Sequence, residues 1–182
     1  ARAEGFPLVR HSVFFNRDYA DEFGAIFKRG EISAEPTVYV CAQDRLDGDS
    51  APDGPERMLI LVNAPADGDK TDYDERMRDQ CTRQMMAQLS RCGLQLATEP
   101  ARTVLTTPKE FAALFPATGG ALYGRASHGW QASFKRPDAR TKLPGLYLAG
   151  GSIHPGAGVP MAALSGRLAA ASLLSDCVST TP

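Results

Sequence analysis

The chain has 182 residues, of which 43% are apolar and 23% charged, and its formal net charge is −1 at pH 7. This composition is typical of a folded globular protein. The near-zero net charge argues against the clustered basic face that nucleic-acid binding requires. The four cysteines are far apart and form no Cys-x-x-Cys pair, which favours reduced thiols over a zinc site or a disulfide framework. No apolar run approaches the roughly 18 uninterrupted residues of a membrane span. We therefore expect a soluble or peripheral cytoplasmic protein without a metal site.

The first part of the chain alternates strand and helix patterns. β-branched and aromatic runs at 11–15 and 37–43 predict strands. Between them, 18–27 has a helical pattern that places Tyr19, Phe23, Ile26 and Phe27 on one side, so this helix is expected to cover the sheet. The almost continuous apolar run at 58–63 predicts a strand buried on both faces.

The middle of the chain contains one long helical pattern. Apolar residues recur at three- and four-residue steps over 72–92 and predict an amphipathic helix that stops at Gly93. A strand is predicted at 101–107. The Thr107-Pro108-Lys109-Glu110 sequence then predicts a capping box for a short helix through Leu114. The simplest assembly of these elements is a mixed sheet with helices on one side.

The most distinctive segment is 144–170, which predicts a short buried strand, a glycine-rich turn and a helix with Pro160 in its first turn. Such an arrangement directs backbone N–H groups at an electron-rich ligand. Glycine also lets peptide groups approach a planar ligand without an intervening Cβ. On spacing alone, an ordinary strand-to-helix turn explains the segment equally well.

Two motifs in this segment resemble the FAD-dependent carotenoid desaturases of the bacterial phytoene desaturase type, within the amine-oxidase-like flavoproteins. The sequence Leu146-Tyr147-Leu148-Ala149-Gly150 is similar to the last strand of that family. The sequence His154-Pro155-Gly156-Ala157-Gly158-Val159-Pro160 is similar to its flavin-contacting turn. The segments 13–15 and 36–44 most resemble the branch that acts on hydroxylated or methoxylated neurosporene, including methoxyneurosporene dehydrogenases.

The resemblance implies an α+β chain, a fragment of an α/β flavoprotein. A mixed β-sheet substrate domain with covering helices would occupy 1–140. The terminal strand and helix of a Rossmann-like FAD-binding domain would occupy 141–182. The implied cofactor is FAD, with the helix that begins near Val159 placed by the electron-rich edge of the flavin.

The resemblance also implies a set of site residues. The expected cofactor-binding residues are Gly150, Gly151, Ser152, His154, Pro155, Gly156, Gly158, Val159, Pro160 and Met161. His154 is a candidate catalytic base, against the alternative that it shapes the turn through a hydrogen bond to a backbone carbonyl. Trp130 and Phe134 are candidate substrate contacts, although core packing explains such aromatics as well. Arg136 and Arg167 are candidate phosphate contacts, or simply solvated.

The Gly-x-Gly-x-x-Gly turn that holds the FAD pyrophosphate does not occur in this sequence. We therefore expect the C-terminal portion of a larger enzyme, with an N-terminal half as its partner and no activity on its own. The implied reaction is desaturation of an acyclic carotenoid at the 3,4 bond of a 1-hydroxy or 1-methoxy derivative, with peripheral membrane contact. Two alternatives remain: a related flavoprotein oxidase of amines or porphyrinogens, and a non-catalytic module that binds apolar ligands or proteins.

Overall fold

The computed structural model describes residues 1–46, 51–123 and 136–179, and the chain forms two compact units, Ala1–Gly120 and Ala121–Pro182. The division predicted between residues 140 and 141 concerns function and stays a prediction. The elements of the first unit are β1 (Arg2–Glu4), β2 (His11–Phe14), α1 (Tyr19–Gly24) continued by a π-helical turn (Ala25–Arg29), β3 (Val38–Ala42), β4 (Met58–Val62), α2 (Glu75–Arg91), β5 (Gln95–Ala97), a 3₁₀ turn (Pro100–Arg102) and α3 (Pro108–Leu114). The second unit contains α4 (Val159–Ser179).

The core of the first unit lies between a three-stranded sheet and helix α2. The sheet has the order β2-β3-β4, and Val38 pairs with Phe14 on one side and with Val62 on the other. The inner face of the sheet packs against Leu89 of α2 and against Leu94, which are both fully buried. The α+β class and the three strands are confirmed. Both described sheets are antiparallel instead of mixed: every two neighbouring strands run in opposite directions.

Helix α2 stops at Gly93 as its sequence predicts, and it begins at Glu75, three residues later than predicted. The Asp74 carboxylate caps the N-terminus by accepting a hydrogen bond from the Met77 N–H at 2.8 Å. Gly93 ends the helix with a φ of +89°, in the left-handed region that favours glycine. Caps and periodicity are local signals, so this prediction needed no knowledge of the tertiary structure.

The predicted burial of 58–63 on both faces is wrong. Leu59 and Leu61 on β4 are 45% and 48% exposed, while the intervening Ile60 packs on the core. Helix α2 packs on the other face of this sheet, so Leu59 and Leu61 stay exposed while Met58, Ile60 and Val62 are half-buried.

The predicted strand at 101–107 is also wrong. A 3₁₀ turn occupies Pro100–Arg102, and Val104 beyond it is 89% exposed. The segment pairs with no strand in the described part of the chain. A β-branched run becomes a strand only where a neighbour accepts and donates its backbone hydrogen bonds.

Of the four apolar residues predicted to face the sheet from α1 and its π-helical turn, only Ile26 is half-buried and the other three are exposed. The buried residue of α1 is Glu22, whose carboxylate accepts hydrogen bonds from the Thr37 N–H at 3.1 Å and the Asn63 side-chain amide at 3.2 Å. Tyr19, Phe23 and Phe27 lie on the surface and form a ladder of ring contacts with Phe15. Buried donors around Glu22 therefore decide which face of the helix points inward.

The capping box of α3 is confirmed and has a testable consequence for stability in acid. The Thr107 hydroxyl is the main cause that lowers the pKa of Glu110 to about 2, and Arg78 also contributes. Since a free glutamate has a pKa of about 4.3, this contribution to stability is complete above about pH 5 and is lost as the pH falls toward 2. We expect thermal melting of Glu110→Gln to depend less on pH between about 5 and 2 than that of the parent chain. If the melting temperatures of the two proteins depended equally on pH over this range, the prediction would be contradicted.

Candidate cofactor-binding site

The predicted glycine-rich turn lies in the second unit and adopts backbone conformations that require glycine. Gly150, Gly156 and Gly158 have φ values of +128°, +138° and +105°. Apart from the chain neighbours of each glycine, a Cβ added to Gly150 or Gly158 would meet no atom of the described residues within 4 Å. The turn therefore presents bare backbone next to open space, which fits the close approach of a planar cofactor.

Helix α4 begins directly after this turn, as predicted. Its first turn contains Pro160, and the Ala162 N–H donates to the Gly158 carbonyl at 2.8 Å. The hydroxyl of Ser165, which is fully buried, accepts a hydrogen bond from the Gly150 N–H at 3.2 Å. The start of the turn is thus fastened to the helix that follows it.

The segment before the turn forms a bridge instead of the predicted strand. Tyr147 pairs with Arg140 in a single antiparallel bridge, and the Leu148 N–H donates to the Ala139 carbonyl at 2.8 Å. This segment has only that one neighbour in the described part of the second unit, which is too little pairing for a strand.

An exposed polar network joins the bridge to the C-terminal half of α4. The Tyr147 hydroxyl donates to the Asp176 carboxylate at 2.7 Å, and the Arg140 guanidinium donates to it at 2.8 Å. The Arg140 hydrogen bond lowers the pKa of Asp176, and the Asp176 hydrogen bond raises the pKa of Tyr147. The network positions the segment that leads into the turn.

Arg136 and Pro137 also make contacts with the turn. The Arg136 guanidinium donates to the Tyr123 and Gly151 carbonyls, each at 3.2 Å, and its Nε lies 3.5 Å from where a Cβ of Gly156 would be. The carbonyl of Pro137 accepts a hydrogen bond from the His154 N–H at 2.9 Å. Arg136 is thus bound to backbone instead of being simply solvated.

The imidazole of His154 is exposed and lies beside a shallow cavity of about 270 Å³. The cavity is lined by Asp138, Ala139, Arg140, His154, Leu168 and Ser172. It is the main-chain N–H of His154, not the imidazole, that bonds a backbone carbonyl. The role of His154 as a base or as a turn-shaping residue stays a prediction.

The predicted cofactor residues differ in their exposure. Ser152, Gly158, Val159, Pro160 and Met161 are exposed, whereas Gly156 is buried against Arg136. Trp130 and Phe134, the candidate substrate contacts, lie outside the described residues. No group of three or more potential metal ligands occurs in the part of the chain that the structure describes.

Sequence reasoning missed the part played by Ser165. A serine in the middle of an apolar helix is a weak signal by itself, and only its distance from Gly150 in the structure reveals the contact.

The expectation about membrane spans also needs correction. Over Val159–Val178, α4 is long and apolar enough to cross a membrane, by length and composition only, and little of it is buried.

The chain thus combines an α+β first unit with a glycine-rich turn that leads directly into helix α4. The profile of the flavin containing amine oxidoreductases matches residues 16–174, and the chain belongs to this family.

Three curated relatives resemble nearly the whole chain. This chain is 56% identical over 181 residues to a hydroxyneurosporene desaturase of Rubrivivax gelatinosus, and the match covers 100% of this chain and 34% of the relative. It is 50% identical to a hydroxyneurosporene desaturase of Cereibacter sphaeroides, covering 98% and 35%. It is 32% identical to a 1-hydroxycarotenoid 3,4-desaturase of a Flavobacterium species, covering 92% and 34%. The chain spans about a third of the length of these relatives.

Proposed function

We propose that this chain is part of an FAD-dependent carotenoid desaturase that acts on the 3,4 bond of an acyclic 1-hydroxy- or 1-methoxy-carotenoid. The observation that carries the proposal is the 56% identity, over the whole chain, to a relative named hydroxyneurosporene desaturase. The bare glycine turn before α4 supports the same conclusion from the structure.

The residues that would hold the flavin are those of the turn and the first turn of α4. The open space beside Gly150 and Gly158 would admit the cofactor, and the N-terminus of α4 would favour an electron-rich ligand atom. When bound, FAD would accept the hydride, and thus the two electrons, that desaturation removes from the carotenoid, while the proton lost from the neighbouring carbon would pass to solvent. The pyrophosphate-binding turn would belong to the additional length that the relatives have.

We also propose peripheral contact with a membrane at the cytoplasmic side. A long polyene is held in lipid, so the enzyme must draw its substrate from there. The exposed ladder of Phe15, Tyr19, Phe23 and Phe27 supports a contact made by apolar side chains at the surface.

The test is turnover by the full-length protein with FAD, liposomes and a quinone as the final electron acceptor. We expect 1-hydroxyneurosporene to gain one conjugated double bond, seen as a product with red-shifted absorption after chromatography. Neurosporene without the hydroxyl group is the matched substrate control and should react more slowly. Oxidation of an amine without any conversion of carotenoid would contradict the proposal and favour an amine oxidase.

A further inference from the structure

The residues just before the bridge brace the glycine-rich turn at three points. The Arg136 guanidinium binds the Gly151 carbonyl, the Arg136 side chain packs at Gly156, and the Pro137 carbonyl accepts from the His154 N–H. These contacts hold the turn at Gly151, at His154 and at Gly156.

The bond from Arg136 also determines the direction of the next amide. The peptide between Gly151 and Ser152 is trans, so its C=O and N–H point in opposite directions. Because the carbonyl points at the guanidinium, the Ser152 N–H points away from it. That N–H has no acceptor among the described residues, and Ser152 is exposed.

We propose that Arg136 is a positioning residue that holds the turn so that the Ser152 amide donates a hydrogen bond to an electron-rich oxygen or nitrogen of the flavin. This inference rests on the proposed function, since it takes the turn to be the flavin site. Arg136 itself does not touch the cofactor; it acts through the Gly151–Ser152 peptide.

Arginine suits this task because its planar guanidinium offers several N–H donors with fixed directions. One Arg136 nitrogen donates to two carbonyls that are distant in sequence, those of Tyr123 and Gly151. Methionine at this position keeps an apolar stem of similar length and removes every donor. Lysine keeps the charge but loses the planar fork.

The experiment measures flavin affinity and flavin-free stability in the full-length protein. Arg136→Met should weaken FAD binding by about 10- to 100-fold, the loss expected for a hydrogen bond from a charged donor. Without flavin, Arg136→Met should melt at nearly the same temperature as the parent. Added guanidinium ion at millimolar concentration should restore part of the affinity of Arg136→Met. Lys142→Met removes one positive charge from an exposed residue of the same unit and should bind FAD like the parent.

A second variant tests the amide directly. Ser152→Pro removes the N–H and leaves Arg136 in place, and it should also weaken FAD binding. Because Arg136 acts through this amide, the double variant should lose little more affinity than Ser152→Pro alone.

The outcomes separate the two proposals. If the parent protein binds no FAD, the proposed function fails. If the parent binds FAD and Arg136→Met binds it equally well, the inference about Arg136 is overturned. Should Arg136→Met not fold, Ser152→Pro decides: unchanged FAD affinity in that variant overturns the inference.

Discussion

Replacing Gly158 by valine is expected to reduce the flavin affinity of the full-length protein by about 10- to 100-fold, since the turn escapes a strain of about 1–3 kcal/mol by leaving the conformation proposed to hold the flavin. Gly158 has a φ of +105°, which a β-branched residue does not adopt without strain. The valine either strains the turn or shifts it, and its Cβ enters the open space beside the turn. Flavin bound per protein, measured by absorbance after gel filtration, and the dissociation constant from fluorescence titration check this result.

Gly145 provides a matched control for that experiment. It also has a positive φ, +80°, and a Cβ at this position would likewise meet open space, but Gly145 lies in the loop between the bridged residues Arg140 and Tyr147, outside the turn. Gly145→Val should therefore lower the flavin-free melting temperature about as much as Gly158→Val while leaving flavin affinity unchanged. Equal flavin affinity in the two variants would show that Gly158 has no special relation to the cofactor.

Removing Arg45 is expected to destabilise the first unit by about 3–5 kcal/mol, the usual cost of leaving one member of a buried ion pair without its partner. The side chains of Arg45 and Glu56 are only 5% and 2% exposed. The Arg45 guanidinium donates to both carboxylate oxygens of Glu56 and to the Leu8 carbonyl. Arg45→Met would leave a buried carboxylate uncompensated. Chemical denaturation of the chain measures the loss of unfolding free energy.

A second ion pair in the same unit serves as the comparison. Arg57 donates to Asp44 through two nitrogens, as Arg45 does to Glu56, but the Arg57 side chain is 76% exposed. Arg57→Met should therefore cost no more than about 1 kcal/mol. The double variant Arg45→Met with Glu56→Leu should recover much of the loss, because no unpaired charge then remains buried. Equal costs for Arg45→Met and Arg57→Met would contradict the role of burial.

Local patterns were sufficient for several features of this protein. The 3.6-residue periodicity and the stop at Gly93 predict α2, and Thr107 with Glu110 predicts the capping box of α3. The glycines of the turn predict a backbone that only glycine adopts easily, and the structure has positive φ at Gly150, Gly156 and Gly158. Each of these features depends on residues within a few positions of one another, so the sequence alone contains the required information.

Features that depend on distant partners were decided only by the tertiary structure. The inward face of α1 depends on the buried hydrogen bonds of Glu22 to Thr37 and Asn63, which no helical pattern reveals. The exposed face of β4 follows from the packing of α2 and the core on the opposite face of the sheet. Arg45 with Glu56, Ser165 with Gly150 and Arg136 with Gly151 meet across 11 to 15 positions. A single sequence predicts the period of an element, but the burial of its two faces and the partners of its polar groups depend on which segments the folded chain brings together.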